Sequence, residues 1–221
     1  MKTVKQINVY AAALVLILGS WNNYVSAQEK SFDLTAGYHW LHPTKSEDWK
    51  NASGIEIQAR FWQNEHLGFA LVGAADTWKA KTEISEVDTG DTYSYTSVNG
   101  DASITSFGAS LLYRSESHAD VKLVLDLGLR YALVDSSVYG EAAYDGPGGP
   151  NYLYDKIDID NTLLFVLGAG VEFEVTDNIA FTLGAGYQVD INKPEETFVG
   201  ESLGETGLDA VSFCILLNCK F

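Results

Sequence analysis

Between Ser31 and Phe221 the chain sorts apolar and polar residues onto alternate positions in eight runs, joined by segments that are alternately long and short. A period of two is the mark of strands whose two faces meet different surroundings. Runs of about ten residues or more suit tilted strands that cross a hydrocarbon layer. A sheet closed on itself is one of only two ways to cross a bilayer without stranding backbone polar groups. The predicted fold is all-β: an eight-stranded antiparallel up-and-down transmembrane β-barrel.

The clearest run sets Val121, Leu123, Leu125, Leu127, Leu129, Tyr131 and Leu133 against Lys122, Asp126, Gly128 and Arg130. Ile55, Ile57, Ala59 and Phe61 oppose Glu56, Gln58 and Arg60 in the same way, and Leu163, Phe165, Leu167 and Val171 oppose Gly168, Gly170, Glu172 and Glu174. The third run, Leu67 to Trp78, is ambiguous, because both faces are apolar or small until Asp76. Segments 42–53, 79–101, 135–160 and 192–207 are long, whereas 63–66, 115–120 and 176–178 are short. Four loops on one side and three turns on the other put both termini at the turn end, which in an outer-membrane barrel is the periplasm. A soluble lipocalin-like barrel shares the pattern but lines its interior with the large apolar residues. Here the second face carries charges of both signs and glycines. The apolar face carries Phe32, Trp40, Phe61, Tyr113, Tyr131, Phe173, Tyr187 and Phe221 near run ends, where lipid interfaces favour aromatic rings.

The first residues read as a secretory signal: Lys2 and Lys5, an apolar run from Val9 to Leu18 broken only by Tyr10, then Val25-Ser26-Ala27. Cleavage is expected between Ala27 and Gln28, giving a signal peptide at 1–27 and a barrel domain at 28–221. The formal net charge is −16, and the leader contributes two lysines and no acid, so the mature chain is more acidic still. Such a surface repels nucleic acid. Cys214 and Cys219 face opposite sides of one strand, about 16 Å apart at 3.3 Å per residue, and read as small apolar fillers rather than a disulfide or a metal site.

An eight-stranded barrel is just wide enough for its own side chains to fill it. The predicted interior set is Glu56, Arg60, Asp76, Arg114, Lys122, Asp126, Arg130, Glu172, Glu174, Gln188, Asp190 and Lys220. An unpaired charge in such a lumen costs several kcal/mol, so Arg114 and Lys122 are expected to meet Glu172 and Glu174. Inward Gly128, Gly168, Gly170, Gly184 and Gly186 leave room for the long arms. The alternative use of the same set is a narrow water path. No catalytic triad emerges from His39, His42, His66 and His118; His39, near the rim with Asp76, Asp101 and Ser103 in reach, reads as an inward polar filler. No cofactor or metal is implied, and the expectation is a non-enzyme. Segments 79–101, 135–160 and 192–207 are net acidic and carry Tyr93, Tyr95, Tyr139, Tyr144, Tyr152 and Tyr154. Two readings stand: rings displayed on loops 79–101 and 135–160 for an external ligand, or strands that continue past the membrane and pack the rings on one another.

Leu167-Gly168-Ala169-Gly170-Val171-Glu172-Phe173, Thr176-Asp177-Asn178 and Leu183-Gly184-Ala185-Gly186-Tyr187 form a glycine-rich hairpin just before the last run. With it the chain resembles the small OmpA/OmpX-type barrels and, more closely, the outer-membrane protein β-barrel domain family, whose penultimate hairpin looks like this one. The last run, with Phe213, Ile215, Leu217 and terminal Phe221, resembles its C-terminal insertion signal, although Cys219 stands where a bulkier residue is usual. The resemblance implies insertion by the barrel-assembly machinery and residence in the bacterial outer membrane among lipid and lipopolysaccharide. Members include adhesins, invasins, tethers and small channels. The expected role is structural or surface-interacting (adhesin-like); the alternatives are a small channel and a lipid-modifying enzyme, although the His/Ser patterns of the family's lipid A deacylases and palmitoyl transferases are not found.

Overall fold

A computed structural model of the chain describes residues 31–44, 49–81, 84–88, 93–116, 121–146 and 149–221. The predicted leader, its cleavage site at Ala27–Gln28 and His118 lie outside them. Twelve strands are present among the described residues: β1 (Ser31–Pro43), β2 (Trp49–Trp62), β3 (Leu67–Ala80), β4 (Ile84–Asp88), β5 (Tyr93–Arg114), β6 (Val121–Gly146), β7 (Gly149–Ile159), β8 (Thr162–Thr176), β9 (Ile179–Asp190), β10 (Glu195–Phe198), β11 (Glu201–Glu205) and β12 (Ala210–Lys220). Eight of them, β1, β2, β3, β5, β6, β8, β9 and β12, form the barrel in chain order, every pair antiparallel. The first and last strands close it, paired from Asp33 opposite Lys220 to Pro43 opposite Ala210.

The barrel is apolar outside and polar inside. Leu125, Phe165 and Ile215 are 40%, 37% and 47% exposed and point outward, while Glu56, Arg60 and Glu172 are buried within. The ambiguous third run resolves the same way, with Ala70, Val72, Ala74, Asp76 and Trp78 inward and Leu67 outward. At the turn end a file of phenylalanine rings crosses the closing seam: Phe221 to Phe32 (5.8 Å), Phe32 to Phe61 (5.0 Å) and Phe61 to Phe69 (4.8 Å). Toward the loop end Tyr38 meets Trp40 edge-on at 4.8 Å and Phe107 meets Tyr131 at 5.8 Å. Aromatic belts at two levels are what a bilayer's two interfaces select.

Three of the four long segments are not loops. β5 and β6 stay paired from Arg114 opposite Val124 as far as Tyr93 opposite Asp145. β6 then takes β7 as its partner where β8 leaves off, from Tyr139 opposite Lys156 to Gly146 opposite Gly149. β10 adds to β7, β11 to β10, and β4 to β5, so a sheet β11-β10-β7-β6-β5-β4 rises from the loop end. The loops expected at 79–101, 135–160 and 192–207 are therefore corrected to segments that carry strands. Of the two readings of their tyrosines the structure has the continuing strands, with Tyr139 stacked on Tyr154, and the cause is legible in side chains. Up to Leu133 the odd residues of β6 are apolar and outward. Beyond it the outward residues are Asp135, Ser137, Tyr139 and Glu141, and the inward ones include buried Val138. The phase of the alternation inverts as the surroundings of the outer face change, and around the inversion the two phases cancel.

Candidate functional site

The lumen is filled in three layers. At the turn end Glu172, fully buried, lies 3.7 Å from Arg60, 3.9 Å from Arg114 and 3.0 Å from Lys220, and accepts a hydrogen bond from Asn218 Nδ2 at 3.0 Å. Glu174, nearer the rim, takes Lys122 at 2.8 Å and Lys220 at 2.5 Å. Both predicted meetings, Arg114 with Glu172 and Lys122 with Glu174, are thus present. Register brings the groups within reach: Lys122 faces Glu172 across β6 and β8, two positions from Glu174, and Arg114 lies on β5, the other neighbour of β6, opposite Val124. Arg114 also lies over the Trp62 ring at 4.0 Å, and Trp62 Nε1 donates to Asp33 Oδ2 at 2.6 Å.

The middle layer holds Glu56, Asp76, Asp126 and Arg130 of the predicted set. Arg130 Nη1 donates to Glu56 Oε2 at 2.7 Å, and Gln58 bridges Glu56 to Arg60. His39 is buried here: Nε2 is hydrogen-bonded to Asp76, and Nδ1 lies 3.8 Å from Glu56. Asp101 and Ser103, predicted within reach of His39, instead face outward on β5. His42 pairs with Asn51 at 2.6 Å on the surface, and His66 with the Arg114 carbonyl at 2.9 Å. Glu56, Arg60, Asp126 and Arg130 line a chamber of about 70 Å³ whose far wall is Gly168, Gly170, Gly184 and Gly186. Arg60 Nη1, Arg130 Nε and Asp126 Oδ1 have no protein hydrogen-bond partner. A polar chamber of this size takes several waters. Cys214 also lines it, and both cysteines are free thiols.

The upper layer is apolar. Glu56, Asp76 and Arg130 do not reach the loop-end mouth; Leu41, Trp49, Trp78, Ile104, Ile157, Leu164 and Leu208 close over them as one apolar cluster. Trp49 and Trp78 meet edge-on at 6.0 Å, and Trp49 Nε1 is satisfied by Thr206 Oγ1 at 3.0 Å. Asp190 stands at the rim, its carboxylate accepting from the Leu208 amide while its own amide donates to Asp209 Oδ1 at 2.9 Å. Beside it Gln188 Nε2 donates to the Leu208 carbonyl at 2.8 Å, so side chains complete the wall where the β9–β12 ladder ends.

Sequence reasoning passed over Asp33, Asn218 and the upper apolar layer as parts of the site. Asp33 and Asn218 were on the polar face of their runs, and that signal sufficed to find them. The layer's inward Trp49 falls in a segment predicted as loop, and Trp78 in the ambiguous run. Among the described residues no three His, Cys, Asp or Glu gather as a metal site, and no helix is long and apolar enough to cross a membrane.

A closed antiparallel barrel with its apolar residues outside and its ions inside is a membrane-spanning β-barrel. The family profile of the outer membrane protein beta-barrel domain matches residues 11–221, and the chain belongs to that family. Solved structures similar to it include the outer membrane protein OprG from Pseudomonas aeruginosa (12% identity, 89% of this chain and 98% of that one, TM-score 0.59). A major outer membrane protein from Thermus thermophilus is also similar (12% identity, 88% and 100%, TM-score 0.51), as is the Neisserial surface protein A (17% identity, 87% and 97%, TM-score 0.46). At these identities the likeness is one of fold. No curated protein matches the chain.

Proposed function

We propose that the protein is a non-catalytic barrel of the bacterial outer membrane that displays its β11-to-β4 sheet outside the cell, with both termini in the periplasm and the apolar outer face in lipid. The observation that carries this reading is a lumen closed twice, by the ion cluster around Glu172 and by the apolar layer around Trp49 and Trp78, beneath a sheet that continues past the barrel. A barrel filled this way supports a platform better than a pore. The engagement of His39 supports the absence of catalysis. Nε2 is bonded to Asp76 and Nδ1 faces Glu56 at 3.8 Å, and among the described residues no serine hydroxyl or cysteine thiol is hydrogen-bonded to either nitrogen, as a base and its nucleophile would be. The closing strand β12, with Phe213, Ile215, Leu217 and Phe221 on one face, supports entry through the barrel-assembly machinery.

The polar chamber of the middle layer favours a second reading, a narrow path for ions or small solutes, and one measurement separates the two. The mature chain, refolded and inserted into planar bilayers, is expected to give no unitary current steps. Steps in the wild-type protein would overturn the closed-platform reading. The Glu172→Gln/Glu174→Gln double variant, with mobility on unheated gels as the control for folding, is likewise expected to stay closed.

A further inference from the structure

Above the phase inversion, on the outward face of β5, β6 and β7, Ser97, Asn99, Gly100, Tyr139, Glu141 and Tyr154 line a single hollow. The register makes it. Asn99 stands opposite Tyr139 and Ser97 opposite Glu141 across β5 and β6, and Glu141 stands opposite Tyr154 across β6 and β7. The two tyrosine rings are stacked, centroids 5.5 Å apart and planes 3° apart, yet Tyr139 remains 42% exposed and Tyr154 70% exposed. The floor bends at Gly100, whose φ of +133° suits glycine, and a Cβ there would press on the Ser137 carbonyl and lie 2.8 Å from Val138 Cα.

Three features of the hollow define its ligand. Flat, exposed aromatic faces take up the apolar face of a ring. The polar groups beside them, a hydroxyl, an amide and a carboxylate, suit ligand hydroxyls: the amide donates and accepts, the carboxylate accepts. Among the described residues that line the hollow none is a cation. Lys156, across from Tyr139, is directed to Asp135 at 3.8 Å and Asp158 at 3.6 Å, so the neighbourhood disfavours phosphate or sulfate. A neutral sugar meets all three conditions.

Height selects its source. Leu133 is the last outward leucine of β6 before the polar stretch that begins at Asp135, and Tyr139 follows six positions later. At about 3.3 Å per residue on a strand tilted by about 40°, the rings stand roughly 15 Å above the hydrocarbon edge. That is the depth of the sugars of an outer-leaflet glycolipid. We infer that Tyr139 and Tyr154, with Asn99 and Glu141, form a binding site for a neutral sugar of the membrane-anchored glycan surrounding the barrel. This rests on the platform reading above, with the β5–β6–β7 face turned outward.

The test uses the refolded mature barrel and the deacylated, dephosphorylated core oligosaccharide of a rough-type lipopolysaccharide, with saturation-transfer NMR as readout. Saturation is expected on sugar ring protons. Tyr154→Ala and Tyr139→Ala should each weaken binding about tenfold, and Tyr154→Phe, which keeps the ring, should bind as wild type. Unheated gel mobility verifies that each variant is folded, and exposed positions such as these are readily substituted. In nanodiscs, the intact glycolipid should protect the β5–β6–β7 amides from hydrogen exchange, while phosphatidylglycerol should not. Equal binding by Tyr154→Ala, no saturation transfer with the wild type, or preference for soluble glycans over the core oligosaccharide would each overturn the inference. A barrel that binds no sugar and conducts no current sinks this site and leaves the platform standing; current steps sink the platform instead.

Discussion

Glu172 answers two guanidiniums, a lysine and an amide at once, from a position with no contact with solvent. Such a group matters less for the energy its pairs contribute than for what its removal leaves behind, because the cations it faces stay buried without a counter-charge. Glu172→Gln is therefore expected to destabilise the barrel by about 3–5 kcal/mol, read as a lower urea midpoint for unfolding in lipid. Glu174 shares Lys220 but has a side chain 26% exposed, where water takes over part of its work. Glu174→Gln is expected to shift the midpoint by less than half as much; equal shifts would mean that burial does not set the hierarchy. This pair was visible in the sequence because alternation alone put both acids and their cations on one face. Asp76 was likewise read as within reach of His39, and it is; what the sequence did not separate from it is that Asp101 and Ser103, on the neighbouring strand β5, face outward.

The seam between β1 and β12 is the one barrel pairing that joins the two ends of the chain, so its closure is the most non-local step in the fold. Gly37 sits within it, on the inward face. A Cβ at that position would press on the Ile215 carbonyl and lie 2.7 Å from Leu216 Cα. Gly37→Ala is expected to cost about 1–3 kcal/mol through overpacking against backbone, with loss of the fast-migrating folded band on unheated gels. An unchanged band fraction after refolding would show that the seam has slack. The elements themselves were largely readable: eight runs became eight barrel strands, and the turns at 63–66 and 176–178 fall between β2 and β3 and between β8 and β9. Their lengths were readable only as one of two alternatives, strands that continue past the membrane. β5 and β6 run to 22 and 26 residues because pairing continues where the outer face turns from apolar to polar, and a pattern that changes phase resembles no pattern.

That change of phase is the boundary around which the whole molecule is organised. Below it the ions are inside and the apolar residues outside; above it Trp49, Trp78, Ile157 and Leu208 are inside and charged or polar residues outside. The sequence carried the lower half plainly, since an ionic lumen demands a non-aqueous exterior. The upper half is an ordinary water-facing sheet, and its meaning depends on knowing where the lower half stops. If the inversion between Leu133 and Asp135 marks the edge of the hydrocarbon, one strand should tolerate the same substitution very differently on its two sides. Leu129 and Ser137 both point outward on β6 and both are exposed, so neither substitution disturbs the lumen. Leu129→Arg puts a guanidinium into lipid and is expected to cost about 2–4 kcal/mol. Ser137→Arg leaves it in water, and its expected cost is about 0–1 kcal/mol. The difference should appear in reversible unfolding from vesicles and vanish in the stability of the sheet above, followed by hydrogen exchange at Val138 and Ile157. Comparable penalties at the two sites would move the membrane edge up the strand, and the tyrosine hollow would then lie in lipid headgroups rather than among sugars.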